Sequence, residues 1–236
     1  MSVFRFKQFS VNHNRSTMKV GTDAVLLGAW TPIVKDCKQI LEIGCGCGVI
    51  SLMLAQRSLA IITGIDVDKS SVEEAIQNAD NSSWAKRIIF QHISAQEFCS
   101  PENKQRFDLI VSNPPFFENS LKSPFEKRNL SRHTDTLSLE ELAFSVDYCL
   151  SETGYFAIIL PVVNSGKIMK LCKRHNLFCN NILNIQPFSS KPINRLILFF
   201  SHQKHTLKTE NLSIRSLNGN YSEDYKQLTK DFYLQF

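Results

Sequence analysis

From residue 39 onward, short apolar runs alternate with segments whose apolar residues recur at helical spacing. The runs predict strands over Gln39–Gly44, Ile61–Asp66, Arg87–Ile93, Phe107–Ser112, Tyr155–Leu160, Ile182–Pro187 and Asn194–Phe200. Such alternation is the signature of βαβ units and a mostly parallel sheet. In DKSSVEEAIQNADN, Val72, Ala75, Ile76 and Ala79 stand at i, i+3, i+4 and i+7, one apolar stripe on a helix that Asp68 can cap. Ser138 and Glu141 make an S-x-x-E capping box at the head of SLEELAFSVDYCL, and Gly154 is placed to close that helix before YFAIIL. SSKP between the last two runs is too short for a crossover helix, so they should pair as an antiparallel hairpin at the sheet edge. TDAVLLGAW reads as a short helix before the first strand, with Thr22 as its cap, and YSEDYKQLTKDF as another near the end. The expectation is an α/β fold with seven strands, mostly parallel, and helices on both faces. One domain spans residues 1–236: an extension over 1–35 and a core over 36–236.

Composition narrows the setting. The chain is 43% apolar and 21% charged, ordinary for a globular protein. No run approaches the roughly 18 apolar residues that a membrane helix needs. The N-terminus, MSVFRFKQFSVNHNR, lacks the apolar stretch of a signal peptide. Seven cysteines without regular spacing argue against a disulfide framework and for a reducing, cytoplasmic setting. Charge is unevenly spread. Residues 1–35 and 113–236 are each net +4, whereas 36–112 are net −3. Basic flanks favour a polyanion such as nucleic acid, although charge alone does not separate that from simple solubility.

The first strand runs into ILEIGCGCGVISLMLAQR, which puts Gly44, Gly46 and Gly48 between a buried strand and an apolar helix. Glycines there let a ligand approach the backbone, at the strand ends where open α/β sheets bind nucleotide-like molecules. A dinucleotide G-x-G-x-x-G would need glycine at 49, where Val49 stands. The pattern is instead E-x-G-x-G-x-G, beginning at Glu42. Adenosylmethionine has no phosphate, and Glu42 could hold its amino group directly or through water. Asp66, ending GIDVD, is placed to accept hydrogen bonds from two ribose hydroxyls. Cys45 and Cys47 lack zinc spacing and read as loop filling, so no metal is expected.

After the fourth strand comes SNPPFF, where Asn113, Pro114, Pro115 and Phe116 face the same crevice. An exocyclic amine on a flat base donates its lone pair into the ring and attacks a methyl sulfonium poorly. The Asn113 side-chain oxygen and the Pro114 carbonyl can each accept one of its N–H groups, which favours pyramidal nitrogen and aims its lone pair. Two prolines stiffen that carbonyl, and Phe116 offers a stacking face worth about 1–3 kcal/mol per base. A base in a folded RNA must first be extruded.

These residues resemble the class I, Rossmann-like adenosylmethionine-dependent methyltransferases with an N-P-P-[FYW] motif, enzymes of adenine N6, guanine N2 or glutamine amide. FRFKQFSVNHNRSTMKVGTDAVLLGAW, RHTDTLSLEEL, the KPxxR hairpin (Lys191, Pro192, Arg195) and YSEDYKQLTKDFYL resemble the bacterial tRNA (adenine-N6) methyltransferases acting on adenine 37 of valine tRNA. The resemblance implies S-adenosyl-L-methionine as cofactor and tRNA as substrate, for a cytoplasmic monomer without metal or membrane attachment. It implies cofactor contacts from Lys19, Gly21, Thr22, Glu42, Gly44, Cys45, Gly46, Gly48, Asp66, Val67, Ala95, Gln96 and Asn113, with Met18–Thr22 folding over the pocket. The family tends to carry an acid where Ala95 stands, so Gln96 or backbone groups would take over there. Lys127, Arg128, Arg132 and His133 are expected to grip the RNA, whereas Lys167, Lys170, Lys173 and Arg174 read as an exposed helix face. The alternatives are a ribosomal RNA guanine-N2 enzyme, a protein glutamine methyltransferase, and an RNA-binding module with a vestigial cofactor site. A nicotinamide dehydrogenase is disfavoured by Val49.

Overall fold

A computed structural model describes residues 3–115 and 137–236. In chain order the elements are β1 (Val3–Arg5), β2 (Ser10–Asn12), α1 (Thr22–Trp30), β3 (Gln39–Ile43), α2 (Val49–Arg57), β4 (Ile61–Asp66), α3 (Lys69–Asp80), β5 (Ile88–His92) and α4 (Ala95–Phe98). They continue with β6 (Phe107–Ser112), α5 (Leu139–Cys149), β7 (Leu150–Pro161), α6 (Val162–Arg174), β8 (Phe178–Phe188), β9 (Arg195–Ser201), β10 (Lys208–Arg215) and α7 (Glu223–Thr229). Eight strands form one sheet in the order β10-β8-β9-β7-β6-β3-β4-β5, and β1–β2 form a separate hairpin.

The apolar runs become central strands because both faces of the sheet are covered. Along β6, Leu109 and Val111 join a core shared with α1, α2, α3 and α7, while Phe107 and Ile110 join a core shared with α4, α5 and α6. Fully burying each such side chain is worth about 1.5–3 kcal/mol. Strands β3 to β7 pair in parallel, so their carboxyl ends share one rim. The expected antiparallel pairing of β8 with β9 is present, and β9 also pairs antiparallel with β7.

The structure departs from the sequence reading in several places, the β1–β2 hairpin among them. An eighth strand, β10, adds in parallel to the outer edge of β8; its residues 208–211 are all exposed, so no apolar run announces it. Gly154 lies within β7 instead of closing α5. A Cβ there would come within 2.7 Å of Leu150 Cδ1 and 2.9 Å of the Phe107 carbonyl, beside an irregular register between β6 and β7. Close packing, not a helix stop, therefore asks for glycine. Gly21, not Thr22, is the N-cap residue of α1, and no side chain caps that helix. On α3, Ile76 is 40% exposed while Glu74 and Asn78 are buried. The helix is turned so that polar groups meet the N-terminal segment. Asp68 does cap α3, and Ser138 and Glu141 form both halves of their capping box.

Candidate active site

The rim of the sheet gathers the loops that follow β3, β4, β5, β6 and β7. Ile43 pairs with Ser112 and with Ile65, so Gly44, Asp66 and Asn113 leave neighbouring strands at one level. Gly44 and Cys45 donate their N–H groups to the Ile65 carbonyl, which folds the glycine loop across the end of β4. Gly44, Gly46 and Gly48 all have positive φ, at 76°, 51° and 79°. A Cβ on Gly48 would meet Phe90 Cζ at 2.6 Å, whereas one on Gly44 or Gly46 would meet nothing within 4 Å. One glycine serves packing. The other two leave open space above the backbone.

Asp66 is held by its own loop. One carboxylate oxygen accepts the Gly46 N–H at 2.8 Å and the other the Asp68 N–H at 2.9 Å. Burial raises its pKa, and the backbone donors of Asp68 and Gly46 work against that rise. Glu42 is buried beneath the loop, where one oxygen accepts both the N–H (2.8 Å) and the hydroxyl of Ser51. That ties the end of β3 to the first turn of α2. Burial pushes its carboxyl up to about 8, against the bonds from Ser51. Cys45 and Cys47 are buried, and burial raises both thiols, Cys47 to about 12. They pack as neutral groups. Among the described residues, no cluster of three or more His, Cys, Asp or Glu is arranged to hold a metal.

Just past β4, Val67 is 48% exposed and its carbonyl lies 3.0 Å from His92 Nε2. Ala95 is buried in the second core, so no side chain there reaches outward. Gln96 hydrogen-bonds Glu141 and helps hold that carboxyl low, behind the Ser138 backbone and side chain. It thus braces α4 against α5. Asn113 is half-buried, Pro114 buried and Pro115 exposed, directly past the end of β6. Ser112 fixes the start of this turn by donating its hydroxyl to the Ile43 carbonyl at 2.8 Å. Phe116, Lys127, Arg128, Arg132 and His133 lie outside the described residues.

The N-terminal segment is anchored by two residues that pattern reading passed over. Glu74 accepts the backbone N–H groups of Asn14, Arg15 and Ser16 and the Ser16 hydroxyl. Burial works to raise that carboxyl, but these bonds outweigh it and hold the pKa below its ordinary value. Asn78 accepts the Asn12 N–H and donates to the carbonyls of Asn12 and Cys47, joining the segment to the glycine loop. Their i, i+4 spacing beside Ala75 and Ala79 was the available signal. Farther on, Arg195 meets Asp23 at 2.9 Å. Between these anchors Met18, Lys19, Gly21 and Thr22 are exposed. Clefts of about 270 Å³ by Tyr155, Phe199 and Lys208 and about 510 Å³ under the β1–β2 hairpin lie elsewhere, and neither is lined by a carboxylate.

The crevice suits a cationic nucleoside ligand without phosphates: open backbone over Gly44 and Gly46, and the Asp66 carboxylate where a phosphate would be repelled. That combination on this strand order defines a Rossmann-like, adenosylmethionine-dependent methyltransferase. The Methyltransferase small domain family matches residues 16–133. The chain is 38% identical to the tRNA1(Val) (adenine(37)-N6)-methyltransferase of Christiangramia forsetii over 98% of both chains. It is 41% identical to that of Phocaeicola vulgatus over 98% of this chain and 97% of the other. This chain belongs to the tRNA1(Val) (adenine(37)-N6)-methyltransferase family. A predicted O-methyltransferase from Agrobacterium tumefaciens shares the fold with a TM-score of 0.71 at 16% identity, covering 89% of this chain and 96% of that one. Geranyl diphosphate methyltransferase in complex with SAM superposes with a TM-score of 0.56 at 11% identity, over 77% and 84%.

Proposed function

We propose that this enzyme methylates the N6 amine of an adenine in tRNA, and that the adenine is residue 37 of valine tRNA, as its relatives' name states. The observation that carries the reading is the Asn-Pro-Pro turn on the strand beside the glycine loop, one pairing away from Gly44. In this reading Gly44 and Gly46 give backbone room to S-adenosyl-L-methionine, Asp66 takes its ribose hydroxyls on its remaining lone pairs, and Glu42 lies beneath its amino acid end. Val67, Cys45 and the Ala95–Gln96 backbone border its adenine. When bound, the cofactor supplies a methyl group on a positively charged sulfur.

Asn113 and the Pro114 carbonyl then hold the two amine hydrogens. With those hydrogens held aside, the nitrogen lone pair would be aimed at the methyl group that the cofactor would supply, and the amine would pass one proton to solvent. No general base is required before attack, because the barrier is lowered by orientation and by dipoles already in place. Phe116 stacks on the extruded base, Lys127, Arg128, Arg132 and His133 bind nearby RNA, and Lys19, Gly21 and Thr22 close over the cofactor. The enzyme works as a single-domain monomer in the cytoplasm. Incubation with labelled cofactor and total tRNA lacking the modification, followed by nucleoside analysis, tests this. N6-methyladenosine in one tRNA species is expected; N2-methylguanosine instead would overturn the assignment.

A further inference from the structure

Residues 153–209 contain eight Lys and Arg and no Asp or Glu. This stretch supplies nearly all of β7, α6, β8 and β9, the half of the sheet on the far side of β6 from the glycine loop. At the rim its geometry is distinctive. Arg195 opens β9 opposite Pro161, the last residue of β7, so the β8–β9 turn projects past the ends of the parallel strands. Every residue from Phe188 to Asn194 is exposed, including Phe188 at 38%, Lys191 and Ile193 at 39%. Beside it the first turn of α6 exposes Val162 and Val163, the latter 89% accessible. Val162 donates its N–H to the Asn194 carbonyl at 3.3 Å, which joins the two pieces into one surface. Arg195 is engaged with Asp23, so it braces the turn against α1 and leaves Lys191 as the turn's outward charge.

We infer that this projecting turn, with Phe188 and Lys191 as its principal contacts, is a docking wall for the RNA strand flanking the target adenine. The inference rests on the tRNA reading above. It extends the substrate site to a part of the chain, the KPxxR hairpin, that the chemistry leaves unused. The β9 side of the turn stands two strand spacings from β6 and the β8 side, with Phe188, three, roughly 10 and 14 Å, which is within reach of nucleotides flanking a base held at Asn113. Exposed aromatic and aliphatic faces beside a lysine, on a stretch of chain whose own residues include no acid, match single-stranded RNA: bases stack on the rings while phosphate pairs with the ammonium. A neutral protein partner would not require acids to be absent over so long a stretch.

The test is fluorescence anisotropy of a labelled, unmodified valine tRNA transcript across a salt series. Phe188→Ala/Lys191→Ala should weaken binding about tenfold and lower the slope of log affinity against log salt by about one. It should raise KM for tRNA with kcat nearly unchanged, and leave cofactor affinity by calorimetry at the wild-type value. Lys191→Glu alone should weaken binding further than Lys191→Ala. Lys173→Ala/Arg174→Ala, at the other end of α6, should bind as the parent does. Undiminished affinity in the Phe188/Lys191 variant, or equal loss in the Lys173/Arg174 variant, overturns this inference while wild-type methylation of the transcript keeps the tRNA reading intact. A wild-type enzyme that neither binds nor methylates tRNA overturns both.

Discussion

Residues 36–112 carry ten acids against seven Lys and Arg, whereas residues 153–209 carry eight Lys and Arg and no acid. The first region builds the glycine loop, Asp66 and Glu42; the second builds the opposite half of the rim. In the proposed reading, the contrast follows the charges of the two molecules that meet there. A sulfonium cofactor is a cation and is best received by carboxyl groups and carbonyls. An RNA strand is a polyanion, and each nearby carboxylate would weaken its docking. Asn113 lies just past the end of β6, between the two regions, and is itself uncharged, which suits its proposed role of orienting an amine without titrating.

If the two regions are separable in this way, substitutions should split by readout. The largest effect belongs to the boundary. Asn113→Ala should cut single-turnover methylation by about 10²–10³-fold, the usual cost of losing one preorganised hydrogen-bond partner of the transition state. Its affinity for cofactor and for tRNA should stay within about threefold of wild type. Normal turnover would erase the distinction between positioning and binding. Next in size, Asp66→Ala should weaken cofactor binding by roughly 10–100-fold in calorimetry, as hydrogen bonds to a charged group are worth about 1.5–3 kcal/mol. Unchanged tRNA anisotropy in the same protein would confirm that the acidic region serves only the cofactor.

Glu74→Ala should release residues 12–16 from α3. We expect a loss of about 1–3 kcal/mol in urea denaturation and new protease cleavage between Asn14 and Thr22. Because the Glu74 pKa is lowered by folding, its contribution is present above its unfolded value and disappears as pH falls through the folded one. Parent and variant stabilities should therefore converge in acid; a gap that persists there would assign the effect to packing. Glu42 titrates with the opposite sign. Its carboxyl is raised to about 8, so the folded state keeps a proton that the unfolded chain releases. Wild-type stability should fall as pH rises from about 4.5 to about 8 and then level off. Glu42→Gln should flatten that profile. An unaltered profile would place the titration elsewhere.

Some of this was legible because the relevant forces are local. Ser138 with Glu141, Asp68 ahead of α3, and the glycines between β3 and α2 are settled within a few residues of chain. Other features had no local trace. The three-residue strands β1 and β2 are too short for an alternation to show, and β10 is exposed over its first four residues and gains its place only by pairing with β8. Ile76 fits an apolar stripe by spacing, yet the N-terminal segment covers a different face of α3, so Glu74 and Asn78 are buried in its stead.

What the sequence alone determined is the chemistry on offer: an E-x-G-x-G-x-G loop, an acid at the end of the next strand and an N-P-P turn, each complete within a short window. The folded chain, in turn, apportions those groups and their charges around one rim. Parallel pairing of β3 with β4 and β6 brings residues 44, 66 and 113 to a common level, though long stretches of chain separate them. Burial then sets how each group behaves. The loop's backbone N–H groups oppose the rise that burial imposes on Asp66, whereas Glu42, whose hydrogen bonds among the described residues come from Ser51, is driven toward its neutral form. Desolvation depends on what the rest of the chain lays over a residue, which no short window of sequence contains.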